Sequence, residues 1–278
     1  MNVELCRVTT SDGLQLDGAF HPSAAEKSST PVEAFLLVHG TGGNFYAGGV
    51  FETWARLSLA AGIPMLRINT RGHDGLAGRE CVADCAQDLT AWLDWLADRG
   101  LRRIAIVGHS MGAVKTLFTE AHRPHDSVVA CIALSPPRFC HTMLMADPRY
   151  TSFREAWRRS VELVAAGRGD EWLSVTQPLP LVITAAGFVE KYGPEDRYDF
   201  VPWLERLSKP TLFVVGEQTV ATSPPFAGLP EAIERELSRM PDGSGLHVVP
   251  GGDMAYRPSP EEPFRRAMEW LSALSGRA

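Results

Sequence analysis

The chain has 278 residues, 45% of them hydrophobic, which supplies one sizeable core and fits a single α/β domain carrying an insertion. Its formal net charge of -6, from 27 basic and 33 acidic residues, leaves no basic stripe for a phosphate backbone or an anionic bilayer, so neither nucleic acid nor a membrane is an expected partner. The five cysteines (Cys6, Cys81, Cys85, Cys131, Cys140) show neither paired nor zinc-ligand spacing and read as reduced thiols.

No basic segment followed by an apolar one opens the chain, and no run approaches the roughly 18 apolar residues of a membrane span, so the expected location is cytoplasmic. The stretches VELCRVTT and LQLDGAF flank the turn SDG and predict a β-hairpin, because alternating apolar positions surround residues that tolerate positive φ. The polar HPSAAEKSSTP that follows reads as a surface connection. From Ala34 onward AFLLVHG, IPMLRIN, RRIAIVGHS and VVACIALS are short apolar runs of the kind buried on both faces of a parallel sheet. Between the second and third, Val82, Cys85, Ala86, Leu89, Trp92, Leu93 and Leu96 recur at helical steps and assign Trp92 and Trp95 to packing.

Residues 138–207 break that rhythm with helical patterns such as FREAWRRSVELVAAG, Pro/Gly punctuation and no clear buried strand. They read as a helical cap inserted at the carboxyl ends of the strands, where ligand crevices form in open sheets. Alternation then resumes with PTLFVVGE, LPEAIERELSRM, GLHVVPGG and EEPFRRAMEWLSAL as strand, helix, strand and closing helix. The organisation predicted is a mostly parallel, doubly wound core over 1–137 and 208–278 with the cap over 138–207.

Two motifs carry chemistry. VGHSMG places Ser110 in G-x-S-x-G between an apolar strand and the helix GAVKTLFTEA, the context of a nucleophile elbow, in which Gly108 and Gly112 permit a sharp turn. The Met111 amide then stands at a helix N-terminus, aimed at a developing oxyanion. LLVHGTGGNFY is a glycine-rich loop at a strand end, where the Thr41 amide can complete an oxyanion hole.

With these motifs the chain resembles the α/β-hydrolase superfamily, and HGTGGNFY, NTRGHD, GHSMGAVKTLF, LSPPRF, AAGRGDEWL and YGPED resemble its DUF1749-like branch. The resemblance covers nearly the whole chain. It implies an eight-stranded sheet with a helical cap and serine-dependent hydrolysis of a small ester, thioester or amide. It also implies an acid after the strand VVG, where VVGEQTV has Thr219, and a histidine after the last strand, where PGGDMAY has Met254. A thioether cannot accept and return a proton at neutral pH, and a serine hydroxyl depends on an adjacent base.

The candidate substitutes are His73 in NTRGHDG, His141 at the start of the cap, and Asp253 and Glu217 beside the vacated positions. His73 reads more readily as a loop-ordering donor, His141 as a solvated cap residue, and the two carboxylates as exposed loop groups. An acid in a closed apolar site has its pKa raised toward a useful range. His39, His109 and His247 read as structural. Three functions stay open: a serine hydrolase with a rearranged triad; a lyase, cyclase or isomerase using the oxyanion hole for an enolate or alkoxide; and a non-catalytic binder of a small ligand. The eight histidines lack metal-site spacing and no phosphate loop is present, so no metal or cofactor is expected.

Overall fold

The computed structural model describes residues 2–23 and 30–275. The predicted hairpin forms as β1 (Glu4–Thr9) and β2 (Gln15–His21), in register from Thr9↔Gln15 to Glu4↔Phe20, with Gly13 at φ 87° in the turn. Residues 24–29 of the polar connection lie outside the described residues. The core continues through β3 (Ala34–Val38), α1 (Val50–Ala60), β4 (Met65–Ile68), a 3-10 turn (Asp74–Arg79), α2 (Val82–Asp98), β5 (Ile104–His109), α3 (Met111–His122) and β6 (Val128–Leu134).

Then come α4 (His141–Ala146), α5 (Thr151–Ala165), β7 (Trp172–Val175), β8 (Leu181–Thr184), α6 (Ala185–Tyr192) and a 3-10 segment (Val201–Arg206). The chain closes with β9 (Thr211–Gly216), α7 (Glu217–Thr222), a 3-10 turn (Pro224–Phe226), α8 (Leu229–Glu236), a further 3-10 turn (Leu237–Arg239), β10 (Gly245–Val249) and α9 (Glu262–Ser275).

Eight strands make one sheet in the order β1-β2-β4-β3-β5-β6-β9-β10. β2 is antiparallel to both β1 and β4, and every other pairing in this sheet is parallel. Alternation along each strand divides its side chains between two layers. Phe35 and Leu37 pack with Trp54 of α1 and Phe264 of α9, while Leu36 and Val38 meet Leu89 and Trp92 of α2 on the other face. The apolar stripe read along α2 is fully buried at Leu89, Trp92, Leu93 and Leu96. At about 1.5–3 kcal/mol for each such side chain, this one face is enough to fix the helix to the sheet.

The segment between β6 and β9 is helical where expected but also folds an antiparallel ribbon, β7 with β8, in register from Trp172↔Thr184 to Val175↔Leu181. The sequence reading found no strand here. Pro178 and Pro180 fall between the two strands, so they punctuate a hairpin and not a strandless segment. The ribbon lies on the 3-10 turn after β4, where a β-carbon at Gly78 would stand 2.2 Å from the Val182 carbonyl oxygen. A second tie is the Tyr198 hydroxyl, which accepts from the Val82 amide at 2.9 Å and donates to the Glu80 carbonyl at 3.0 Å. Among the described residues no helix is long and apolar enough to cross a membrane.

Candidate active site

Ser110 stands between β5 and α3 with φ 55° and ψ -125°, a backbone conformation that costs a non-glycine residue energy and persists only when its surroundings enforce it. The surroundings are the two predicted glycines. A β-carbon on Gly108 would lie 2.4 Å from the Gly112 carbonyl oxygen, and one on Gly112 only 1.9 Å from that of Val38, so strand and helix approach as only glycine allows. The Ser110 amide donates to the Leu134 carbonyl at 2.8 Å and ties the turn to β6. Its side chain is partly exposed and makes no hydrogen bond to the described residues.

The glycine-rich loop after β3 sits directly on this turn. A β-carbon on Gly40 would be 3.1 Å from both the Ser110 β-carbon and the His109 carbonyl oxygen, and 3.5 Å from the Met111 amide nitrogen. The Gly40 carbonyl accepts from the Gly43 amide at 3.1 Å and from His39 Nδ1 at 2.8 Å. The His39 ring is buried, and its Nε2 accepts from the Thr70 amide at 3.1 Å, which places the ring proton on Nδ1. Burial, with the Lys115 charge behind it, pushes this imidazole down to about 3, so it is neutral at pH 7.

The loops after β9 and β10 meet each other. The amides of Gln218 and Thr219 both point at the Gly252 carbonyl, at 2.9 and 3.4 Å, and a β-carbon on Gly216 would stand 2.3 Å from the same oxygen. Thr219 is buried and its hydroxyl has no hydrogen-bond partner among the described residues. Met254 packs its side chain on the apolar cluster that includes Met111, and its carbonyl accepts from His109 Nε2 at 2.9 Å. Burial lowers the His109 pKa while this carbonyl partly offsets it.

The candidate substitutes separate clearly. Of the two readings of Asp253, a base in an apolar site or an exposed loop carboxylate, the structure favours the second: it stands in an ion pair with Arg257 and accepts also from the Ala255 and Arg257 amides. The Arg257 amide first, then the Arg257 guanidinium, hold this carboxyl below its usual range, the opposite of what a base needs. Glu217 is exposed and accepts from the Gly251 amide at 2.8 Å. His141 directs Nδ1 to the Tyr192 carbonyl at 2.7 Å and packs edge-on to Trp157, which leaves Nε2 without a partner among the described residues. His73 directs Nδ1 to Asp74 at 2.8 Å, which leaves Nε2 without a partner among the described residues. Asp74 itself has φ 51°, receives Asn44 Nδ2 at 2.7 Å and the Tyr46 hydroxyl at 3.2 Å, and is fastened by its amide to the Gly43 carbonyl at 3.1 Å.

Sequence reasoning missed a buried ionic group beneath these loops. Lys115 of α3 and Glu80 pair at 2.5 Å, both wholly inaccessible to solvent, and Lys115 Nζ also donates to Thr70 Oγ1 at 2.8 Å. Lys191 of α6 is buried nearby. For Lys115 burial opposes the charge, yet Glu80 prevails and raises its pKa. The available signal was a lysine at an otherwise apolar position in GHSMGAVKTLF.

A mostly parallel eight-stranded sheet, with a strained serine between a central strand and the following helix and a glycine-rich loop against it, defines a protein of the α/β-hydrolase class. Residues 35–271 match the profile of the Alpha/beta hydrolase family, and the chain belongs to that family. No curated protein matches the sequence. The alpha/beta hydrolase GrgF from Penicillium sp. sh18 is similar in structure at TM-score 0.73 and 17% identity, over 98% of this chain and 99% of that one. Est1E from Butyrivibrio proteoclasticus, with ferulic acid bound, superposes at 0.67 and 18% identity over 96% and 98%. The esterase Pf2001 from Pyrococcus furiosus does so at 0.65 and 19% identity over 98% and 91%. At these identities the likeness is one of fold.

Proposed function

We propose that this chain is a serine-nucleophile hydrolase of a small activated acyl compound, an ester or thioester ahead of an amide. Ser110 is the nucleophile, the Thr41 and Met111 amides are the oxyanion donors, and the insertion is the cap. The observation that carries this reading is the left-handed backbone of Ser110, clamped between Gly108 and Gly112 with Gly40 seated on it. Such strain is retained where a reactive group must project from a turn.

The triad in this reading is non-standard, with Thr219 and Met254 standing where the α/β-hydrolase superfamily pattern implies the acid and the base. Of the four substitutes His73 and His141 each keep Nε2 without a partner among the described residues, and Asp74 holds the His73 ring in the tautomer that can take a proton. His73 makes no hydrogen bond to Ser110, and in this reading it serves the deacylating water and not the Ser110 hydroxyl. Attack without an adjacent base is slow, and departure with little proton assistance favours leaving groups that are already weak bases, such as thiolates and phenolates.

One observation favours a second reading. The loop after β10 offers His109 a carbonyl and Ser110 no imidazole among the described residues. An oxyanion hole without a base suits enolate or alkoxide stabilisation in a lyase, cyclase or isomerase, or simple ligand binding. Turnover of acyl thioesters and aryl esters by wild type and Ser110→Ala separates these. Hydrolysis that disappears in Ser110→Ala is expected. Undiminished hydrolysis in that variant refutes the nucleophile, and conversion of a substrate with no acyl-Ser110 trapped favours the second reading.

A further inference from the structure

The pair Lys115–Glu80 is wholly buried, and taking two charges out of water is costly unless good geometry and further hydrogen bonds offset it. The bonds that leave Lys115 run in one direction. An ammonium has donors only, so Thr70 Oγ1 accepts from it at 2.8 Å, and the hydroxyl proton is turned toward His39 Nε2, 3.3 Å away. The Thr70 amide donates to the same nitrogen at 3.1 Å, and His39 Nδ1 donates to the Gly40 carbonyl at 2.8 Å. A peptide is planar and trans, so fixing the Gly40 carbonyl fixes the opposite direction of the Thr41 amide.

We propose that Lys115 is a positioning residue for the oxyanion loop: pinned by Glu80, it orients Thr70 against His39, and His39 then holds the Gly40–Thr41 peptide with its amide turned toward Ser110. The inference rests on the reading of Thr41 as an oxyanion donor. Were His39 to take a second proton, its Nε2–H would confront two donors and the loop would lose its anchor. Burial and the Lys115 charge work against that proton, in company with His73, while the bond to the Gly40 carbonyl and the Glu80 charge work in the opposite sense.

Thr70→Val removes the hydroxyl at nearly constant shape and leaves the ion pair intact, while Thr70→Ser retains the hydroxyl. Lys115→Met is the more severe change. The His39 ring nitrogens are followed by nitrogen NMR from pH 4 to 8, and Ser110 labelling by a fluorophosphonate is timed at pH 7. Wild type and Thr70→Ser should show one neutral tautomer, protonated on Nδ1, throughout the upper part of that range. Thr70→Val keeps the backbone amide bond and hence the tautomer, and should show a His39 titration at least about one pH unit higher, with labelling slowed about tenfold, less than the loss of a whole oxyanion donor. Folded Thr70→Val and Lys115→Met proteins with the wild-type titration and labelling rate overturn the proposal. If wild type itself never labels while the His39 titration responds as stated, the serine reading fails and the positioning role stands.

Discussion

If Thr219 and Met254 occupy the places of an acid and a base, restoring those groups should create what the chain lacks. Thr219 is 3% exposed, so Thr219→Asp alone buries a carboxylate without a partner, at a cost of about 3–5 kcal/mol and a fall of about 10 °C in Tm. Met254 is only partly buried, and Met254→His should be tolerated within about 1.5 kcal/mol. In the double variant the imidazole gives the carboxylate its partner, so part of the lost stability should return. The loops that carry the two positions already touch through the Gly252 carbonyl, which requires no new backbone arrangement. General-base assistance is worth about 10²–10⁴ in rate, so the double variant should hydrolyse an aryl acetate at least about a hundredfold faster than wild type. Met254→His alone should gain less and Thr219→Asp alone nothing. The gain should rise with pH through about 6.5, where a free imidazole loses its proton, and vanish when Ser110→Ala is added. A double variant that folds, as judged by circular dichroism and a recovered Tm, yet shows no Ser110-dependent gain refutes the assignment of these two positions.

Three further outcomes are expected. Gly112→Ala forces a β-carbon to within 1.9 Å of the Val38 carbonyl, so α3 must retreat from β3; thermal unfolding should report a loss of about 1–3 kcal/mol or more, and an unchanged Tm would contradict the packing described. His39 sits near 3 when folded and at 6.5 as a free group, so the unfolded chain takes up this proton first as pH falls. The stability it contributes is full above pH 6.5 and is lost toward pH 3 at about 1.4 kcal/mol per unit. Urea unfolding at pH 6.5 and 5 should therefore cost wild type about 2 kcal/mol more than His39→Asn, and parallel losses would refute it. Across acyl esters of graded leaving-group pKa, kcat/KM should fall steeply as the leaving group becomes more basic, with amides untouched; a flat series would mean that an efficient general acid is present.

The alternation of apolar runs and helical stripes carried the core because each pattern is local: a strand buried on both faces and a helix buried on one announce themselves within a dozen residues. The elbow was legible for the same reason, since Gly108, Ser110 and Gly112 lie within one turn. What escaped was set by partners distant in the chain. Lys115 looks like a solvated helical residue until Glu80 and Thr70 are brought beneath it. The ribbon of β7 and β8 was hidden because its strands are four residues each and prolines separate them. The fate of Asp253 was closer to the surface of the sequence, as Arg257 follows only four residues on in the same short loop, within reach of an ion pair.

The central claim is that Ser110 is a nucleophile held ready by its backbone, and mass spectrometry after fluorophosphonate treatment of wild type and Ser110→Ala tests it without knowledge of the substrate. The account predicts a single adduct, mapped to Ser110 and absent from Ser110→Ala. A folded wild-type protein that stays unlabelled under prolonged excess of the reagent, or labels equally after Ser110→Ala, would contradict it.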